Sequence, residues 1–305
     1  MEKILKSLKF VLAVHAVIAA LAAGCVKADG SVPVAGDSAA GKKYCISVLP
    51  APVLNTRDFH LVFGGEDGKT VKVDDEGLLR ELEFIALPGT VFEIDAAYSY
   101  DGREILRVRT SDYPYSGTEL YIDSRFVIFK TERPPEREKN MPSEDQILQN
   151  LISMEGAPYL WGGNFCGGIE EMIKFYKPEG GIDEKTRSLW NLEGVDCSGL
   201  LYQASNGCTP RNTSSLVRFG EGVRISGMTK EGISSVVEPL DIMVWIGHVI
   251  IVIDRETVIE SAYGRGVALS PLMERLDSLM KDRKPVDDWD ASEGKRFLLR
   301  RWHQD

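Results

Sequence analysis

The stretch Thr131–Asp145, TERPPEREKNMPSED, is charged and rich in proline and holds almost no large apolar side chain, so it has nothing to bury. It reads as a linker between two separately patterned units. At roughly 100–200 residues per domain, a chain of 305 residues with 43% hydrophobic content has room for about two of them. Ahead of the linker, from Tyr44 to Lys130, short apolar and β-branched runs alternate with the turn signals Gly64-Gly65, Asp67-Gly68, Pro88-Gly89 and Asp101-Gly102. Ile105–Thr110 and Leu120–Asp123 show period-two alternation, which predicts a small all-β barrel or sandwich. Beyond the linker, Ser143 can cap a helix, with Gln146 completing a capping box and Ile147, Leu148, Leu151 and Ile152 at helical spacing. Residues 146–305 then mix helical and strand patterns.

The start of the chain carries Lys3, Lys6 and Lys9, an apolar run from Phe10 to Ala23, and small residues after it. This is the pattern of a signal peptide over residues 1–24, and it predicts an exported protein, periplasmic or membrane-anchored. Leu21-Ala22-Ala23-Gly24-Cys25 resembles the lipobox of bacterial lipoproteins, in which Cys25 would be acylated; ordinary cleavage nearby would leave Cys25 a bystander. Residues 25–43 read as a flexible tether. The formal net charge of −10 argues against a nucleic-acid partner, since phosphate contacts need clustered Lys and Arg. Cys45, Cys166, Cys197 and Cys208 are too few for a disulfide framework in a chain of this length, although a bridge between Cys166 and Cys208 is conceivable. Neither CxxC nor HxxxH spacing occurs, so no metal site is expected, and no cofactor is implied.

Gly194–Leu201, GVDCSGLL, opens an apolar helical run with Cys197 at its start. There a thiol faces unpaired amides and the positive end of the macrodipole, both of which favour the thiolate. The same position also suits an inert buried thiol. A nucleophile needs a base. His15 leaves with the leader, His303 lies near the C-terminus and His60 belongs to the first unit, so His248, at the start of the second of two strand-like runs over Asp241–Ile253, is the candidate. A core histidine bonded to a carbonyl is the alternative. Glu260, on the next alternating strand, can accept from the imidazole across an antiparallel pair, or face solvent.

In combination and order, Tyr159-Leu160-Trp161-Gly162-Gly163, Asp196-Cys197-Ser198-Gly199, Pro210-Arg211, Pro239-Leu240-Asp241, His248 and Glu260 resemble the NlpC-type cell-wall cysteine peptidases over about residues 145–271. The resemblance implies an α+β, papain-like catalytic domain, with Cys197 as nucleophile, His248 as general base and Glu260 as the residue that orients it. Tyr159 matches a tyrosine lining the oxyanion site, and Asp196, Ser198, Arg211, Asn212 and Thr213 match positions that line the substrate cleft. It implies hydrolysis of the bond from D-γ-glutamate to a diamino acid in peptidoglycan stem peptides, with peptidoglycan or muropeptides as partners. A wall-binding protein with a relic site, or an amidase or acyltransferase on the same fold, is the alternative. The end of the first unit, Tyr121–Val127 (YIDSRFV), resembles the last strand and turn of bacterial SH3-like domains.

Four features depart from the family pattern. An insertion runs from Asn164 to Gly194, with Glu170, Glu171 and Lys174 on a helix-like stretch; it is long enough to cap or narrow the cleft, and the sequence leaves its role open. Leu240 replaces a glycine. Glu260 stands where histidine, asparagine or glutamine is commoner. Asn212 replaces an aspartate found in members that require a free L-alanine amine, which weakens amine recognition.

Overall fold

The protein is described by a computed structural model over residues 39–100, 102–115 and 117–303. The leader, Cys25 and the tether as far as residue 38 lie outside the described residues. The first unit carries strands β1 (Tyr44–Ser47), β2 (Ala51–Leu54), β3 (Leu82–Ala86), β4 (Val91–Tyr100), β5 (Arg103–Arg109), β6 (Leu120–Asp123) and β7 (Val127–Lys130). They form a seven-stranded sheet in the order β3-β2-β6-β5-β4-β1-β7, every pair antiparallel. The sheet ends at β3 and β7, which no ladder joins among the described residues. Turn signals fall where strands reverse: Tyr100 pairs with Arg103, so the chain doubles back between them, and the Gly64–Gly68 stretch closes a small hairpin, Phe63–Gly64 against Thr70–Val71.

β6 departs from its expected alternation, being buried along its whole length. The inserted segment 164–194 explains this, because it packs on the face that alternation would leave wet. Tyr176 donates its hydroxyl to the buried Asp123 carboxylate at the end of β6, and Trp190 bonds the Tyr176 carbonyl at 2.9 Å. Leu160, Ile169, Met172, Tyr176, Trp190 and Leu192 belong to the same hydrophobic core as the sheet of the first unit. The insertion contains helices Glu171–Phe175 and Glu184–Trp190; the sequence signalled only the first. Its apolar side chains are spent on joining the two units.

Residues 131–143 form no helix or strand, yet they are pinned: Lys139 lies 2.6 Å from the Asp112 carboxylate, and Arg137 donates to the Asn206 carbonyl at 3.2 Å.

The second unit contains α1 (Glu144–Ser153), α2 (Cys197–Ala204), β8 (Ile242–Trp245), β9 (His248–Val252), β10 (Thr257–Ala262), β11 (Gly266–Pro271), α3 (Leu272–Asp282) and β12 (Arg296–Arg301). Ser143 caps α1 by accepting from the Gln146 amide, but the Gln146 side chain turns to Asn150 at 2.9 Å instead of closing the box. The antiparallel sheet runs Glu221–Val223, β12, β8, β9, β10, β11. Ile242, Val244, Val249, Ile251 and Ile259 face α1 and α2, while Met243, Ile250, Val252 and Val258 face α3 and the helix Lys230–Val236. Both faces are covered, so β8 and β9 read as unbroken apolar runs. Among the described residues no helix is long and apolar enough to cross a membrane.

Candidate active site

α2 begins at Cys197 because Asp196 caps it: Asp196 Oδ1 accepts from the Gly199 amide at 2.7 Å, the side-chain cap expected of an aspartate three residues ahead. The helix start is pressed against the Tyr159–Gly163 loop so closely that a Cβ on Gly199 would stand 1.9 Å from the Gly163 carbonyl oxygen. Only glycine admits that approach. Cys197 is 7% exposed, and its thiol lies close enough to the His248 imidazole to act on the charge of that ring.

His248 is the first residue of β9, reached from β8 through Ile246-Gly247. Val252 pairs with Val258, so by alternation His248 and Glu260 fall on one face of the sheet as diagonal neighbours. His248 Nε2 lies 2.6 Å from Glu260 Oε2, which leaves Nδ1 for the thiol. Burial of the ring opposes its charge, but the hydrogen bonds and negative charge of Cys197 and Glu260 outweigh it and hold His248 up at about 9. Burial likewise works against charge on Glu260, yet His248 and Arg275 together bring its carboxyl down to about 2. The arrangement is a thiol, an imidazole and an ionised carboxylate in series.

Tyr159 forms a parallel bridge with Val195, immediately before the helix cap, and its ring meets Tyr263 edge-on at 6.1 Å. Burial, together with the nearby charges of Asp196 and Cys197, pushes its hydroxyl up, so at neutral pH it is a donor. Asp196, Ser198 and Arg211 come together with Cys197, but beneath the helix start, not open to a cleft. Arg211, 5% exposed, donates Nε to Asn164 at 3.1 Å, Nη1 to Asp196 and Ser198 at 3.0 and 2.9 Å, and Nη2 to the Gly163 carbonyl and Asp196 at 3.1 and 2.7 Å. Asp196 also accepts from the Gly162 amide at 3.1 Å and from Ser198 at 3.0 Å. These polar atoms are used within the protein, so the three residues hold the helix in place. Asn212 is half-buried beside the Tyr113 hydroxyl, which donates to Glu83 at 2.9 Å. Thr213 accepts from the Gly247 amide at 3.0 Å, tying the segment after Arg211 to the turn that presents His248.

Cys45, Cys166, Cys197 and Cys208 are all free, so the conceivable Cys166–Cys208 bridge is not formed. Burial pushes the Cys45 thiol up to about 12 and raises Cys166 and Cys208 as well. Among the described residues no group of three or more His, Cys, Asp and Glu is placed to hold a metal ion.

Two site residues carry no motif. Arg275, on α3, bonds both oxygens of Glu260, at 2.6 and 3.0 Å. Asn164, at the start of the insertion, exchanges two 2.8 Å hydrogen bonds with the backbone of Ile85 in β3 and also accepts from Arg211. A single arginine on an amphipathic helix gives no sequence signal of its target, and an asparagine reaching 79 residues back gives none either.

No family model matches the chain, and no curated protein does. Several solved structures are similar to it, among them members of the NlpC/P60 family. One is an NlpC/P60 family protein from Bacillus cereus (16% identity, TM-score 0.30, covering 76% of this chain); the chain spans 59% of its length. RipD from Mycobacterium tuberculosis, described as a non-catalytic NlpC/p60 domain protein adapted to peptidoglycan binding, is 19% identical at a TM-score of 0.30, over 43% of this chain and 89% of its own. NlpC1 from Trichomonas vaginalis is 12% identical at a TM-score of 0.32, over 92% of this chain and 98% of its own. Overlaps this slight carry no functional argument; the residues and their geometry carry it.

Proposed function

We propose that the protein is an exported cysteine peptidase of the NlpC type that cleaves peptidoglycan stem peptides at the bond from D-γ-glutamate to the diamino acid. The observation that carries this reading is the series Cys197, His248, Glu260, with the thiol beside the imidazole and the imidazole 2.6 Å from the carboxylate. The Asp196 cap that starts the helix at Cys197 and the paired strands that set His248 against Glu260 support the same reading.

His248 Nδ1 takes the Cys197 proton, and the thiolate attacks the γ-glutamyl carbonyl. The oxyanion is met by the Cys197 amide at the N-terminus of α2 and by the Tyr159 hydroxyl. The imidazolium then gives its proton to the departing amine, and a water activated by the neutral ring frees the acyl group from sulfur. Glu260 keeps Nε2 protonated and the ring turned towards the thiol throughout. In this reading the strand-rich unit is an SH3-like module, and Cys25 is the site of a lipid anchor holding the protein at a membrane.

Mass spectrometry of L-Ala-γ-D-Glu-meso-diaminopimelate, free and joined to N-acetylmuramic acid, tests the proposal. Loss of diaminopimelate with the protein and none with Cys197→Ala is the expected result. Which of the two substrates is cut reports whether a free L-alanine amine is needed. Cleavage of neither sinks the γ-glutamyl assignment and moves weight to a wall-binding role.

A further inference from the structure

We infer that Arg275 is a positioning residue for His248: its guanidinium grips both oxygens of Glu260 and so sets the direction from which the carboxylate meets the imidazole. The inference rests on the peptidase reading. Arg275 Nε donates to Oε1 at 2.6 Å and Nη2 to Oε2 at 3.0 Å, and Oε2 is also the oxygen 2.6 Å from His248 Nε2. One carboxylate oxygen therefore serves both cations.

A glutamate side chain has three free torsions, so the backbone of β10 alone leaves its carboxylate free to turn. A planar fork that engages both oxygens removes that freedom in a way a point charge cannot. Topology makes the contact available: Glu260 lies on the sheet face that α3 covers, and Arg275 sits in the first turn of α3 pointing at it. Glu260 is 3% exposed, so its charge needs partners inside the protein.

The other charged groups around the pair are placed differently. Arg265, in the turn between β10 and β11, stands 4.0 Å from Glu260 with its side chain 47% exposed, and its Nη2 is engaged by the Leu269 carbonyl and Ser270. Glu274 lines the same surface groove as Arg265 and Arg275. On the other side of His248 stand Cys197 and the Trp245 ring, 5.2 Å away, with the Arg283 guanidinium over that ring at 4.5 Å. Arg275, 19% exposed at its side chain, is the cation that both touches and orients the carboxylate.

The test compares Arg275→Met and Arg275→Lys with the unaltered protein, by NMR titration of the His248 ring and by kcat and KM on the stem peptide. In Arg275→Met, kcat falls about 10²-fold, the cost of a misdirected catalytic group, with KM little changed. The His248 midpoint moves up by about one pH unit, because a nearby cation that disfavoured the imidazolium is gone. Arg275→Lys returns the midpoint but not the rate, since it restores the charge without the fork. An unmoved midpoint in Arg275→Met, or a full kcat in Arg275→Lys, overturns the inference. Should Arg275→Met not fold, the kcat of Arg275→Lys decides alone. The titration needs no substrate, so a shifted midpoint in a protein that cuts no stem peptide overturns the substrate reading and leaves the clamp standing.

Discussion

Two arginine–carboxylate forks stand behind Cys197 and His248, and they are built for different work. Behind Cys197, Arg211 and Asp196 are both buried, and the nitrogens of Arg211 are all engaged within the protein. Behind His248, Arg275 is partly open to solvent, and its carboxylate partner is shared with a ring that titrates. The first fork is a fixed frame for a helix start. The second is coupled to proton transfer, so the same pairing yields stability at one place and pH behaviour at the other.

The signs differ accordingly. Glu260 is held down at about 2, so what its ionised form adds to stability is present above the ordinary carboxylate range and is lost as pH falls towards about 2. His248 is held up at about 9, so its contribution is complete below its ordinary value near 6.5 and is lost as pH rises through about 9. In the peptidase proposed above, the alkaline limb of activity belongs at that same point, where the imidazolium loses its proton.

The contrast breaks most readily at Arg211. Arg211→Met leaves Asp196 charged and buried, and should lower the unfolding free energy by about 3–5 kcal/mol in urea titration. The alkaline limb in the surviving fold stays where it was; a limb that moves as far as in Arg275→Met would erase the distinction between the forks. Asn164→Ala is smaller. It strands the Ile85 amide and carbonyl, each bonded to Asn164 at 2.8 Å, and should cost about 1–3 kcal/mol. Because Asn164 joins β3 to Arg211, the expected accompaniment is faster amide exchange at Ile85 and at the Gly199 cap together. Exchange that quickens at Ile85 alone would confine the role of Asn164 to the strand-rich unit.

The smallest effect is expected at Leu240. It sits at φ 64°, left-handed backbone that favours the glycine of the family pattern, while its side chain is 1% exposed. Relief of roughly 1–2 kcal/mol of backbone strain in Leu240→Gly is offset by about 1.5–3 kcal/mol of lost burial. The unfolding free energy should therefore fall by no more than about 2 kcal/mol, and the turn that carries Asp241 should keep its shape.

Much of the series Cys197, His248, Glu260 was legible because each part of it is a local pattern. The apolar helical run that opens within Gly194–Leu201 places Cys197 at the start of α2, although the Asp196 cap that fixes this start was not read from the sequence. Two apolar runs split by Ile246-Gly247 make a hairpin, which places His248 at a strand end. Alternation then sets Glu260 on the face of His248. None of these steps needs more than neighbouring strands and a turn of helix.

What surrounds the series was decided by tertiary structure. Asp196, Ser198 and Arg211 were expected along the cleft, and the chain folds them under the helix start, because a buried guanidinium must find acceptors for all its donors. The sequence left the role of the insertion open, and its apolar residues complete the core of the strand-rich unit. Arg275 and Asn164 reach their partners across 15 and 79 residues with no motif to mark them. Sequence pattern says which face of an element is buried; it does not say which distant element will cover it. The Ser143 cap, the hairpin and the order of Cys197, His248 and Glu260 were therefore written in the chain, while the supports around them exist only once α3 and β3 have closed around the site.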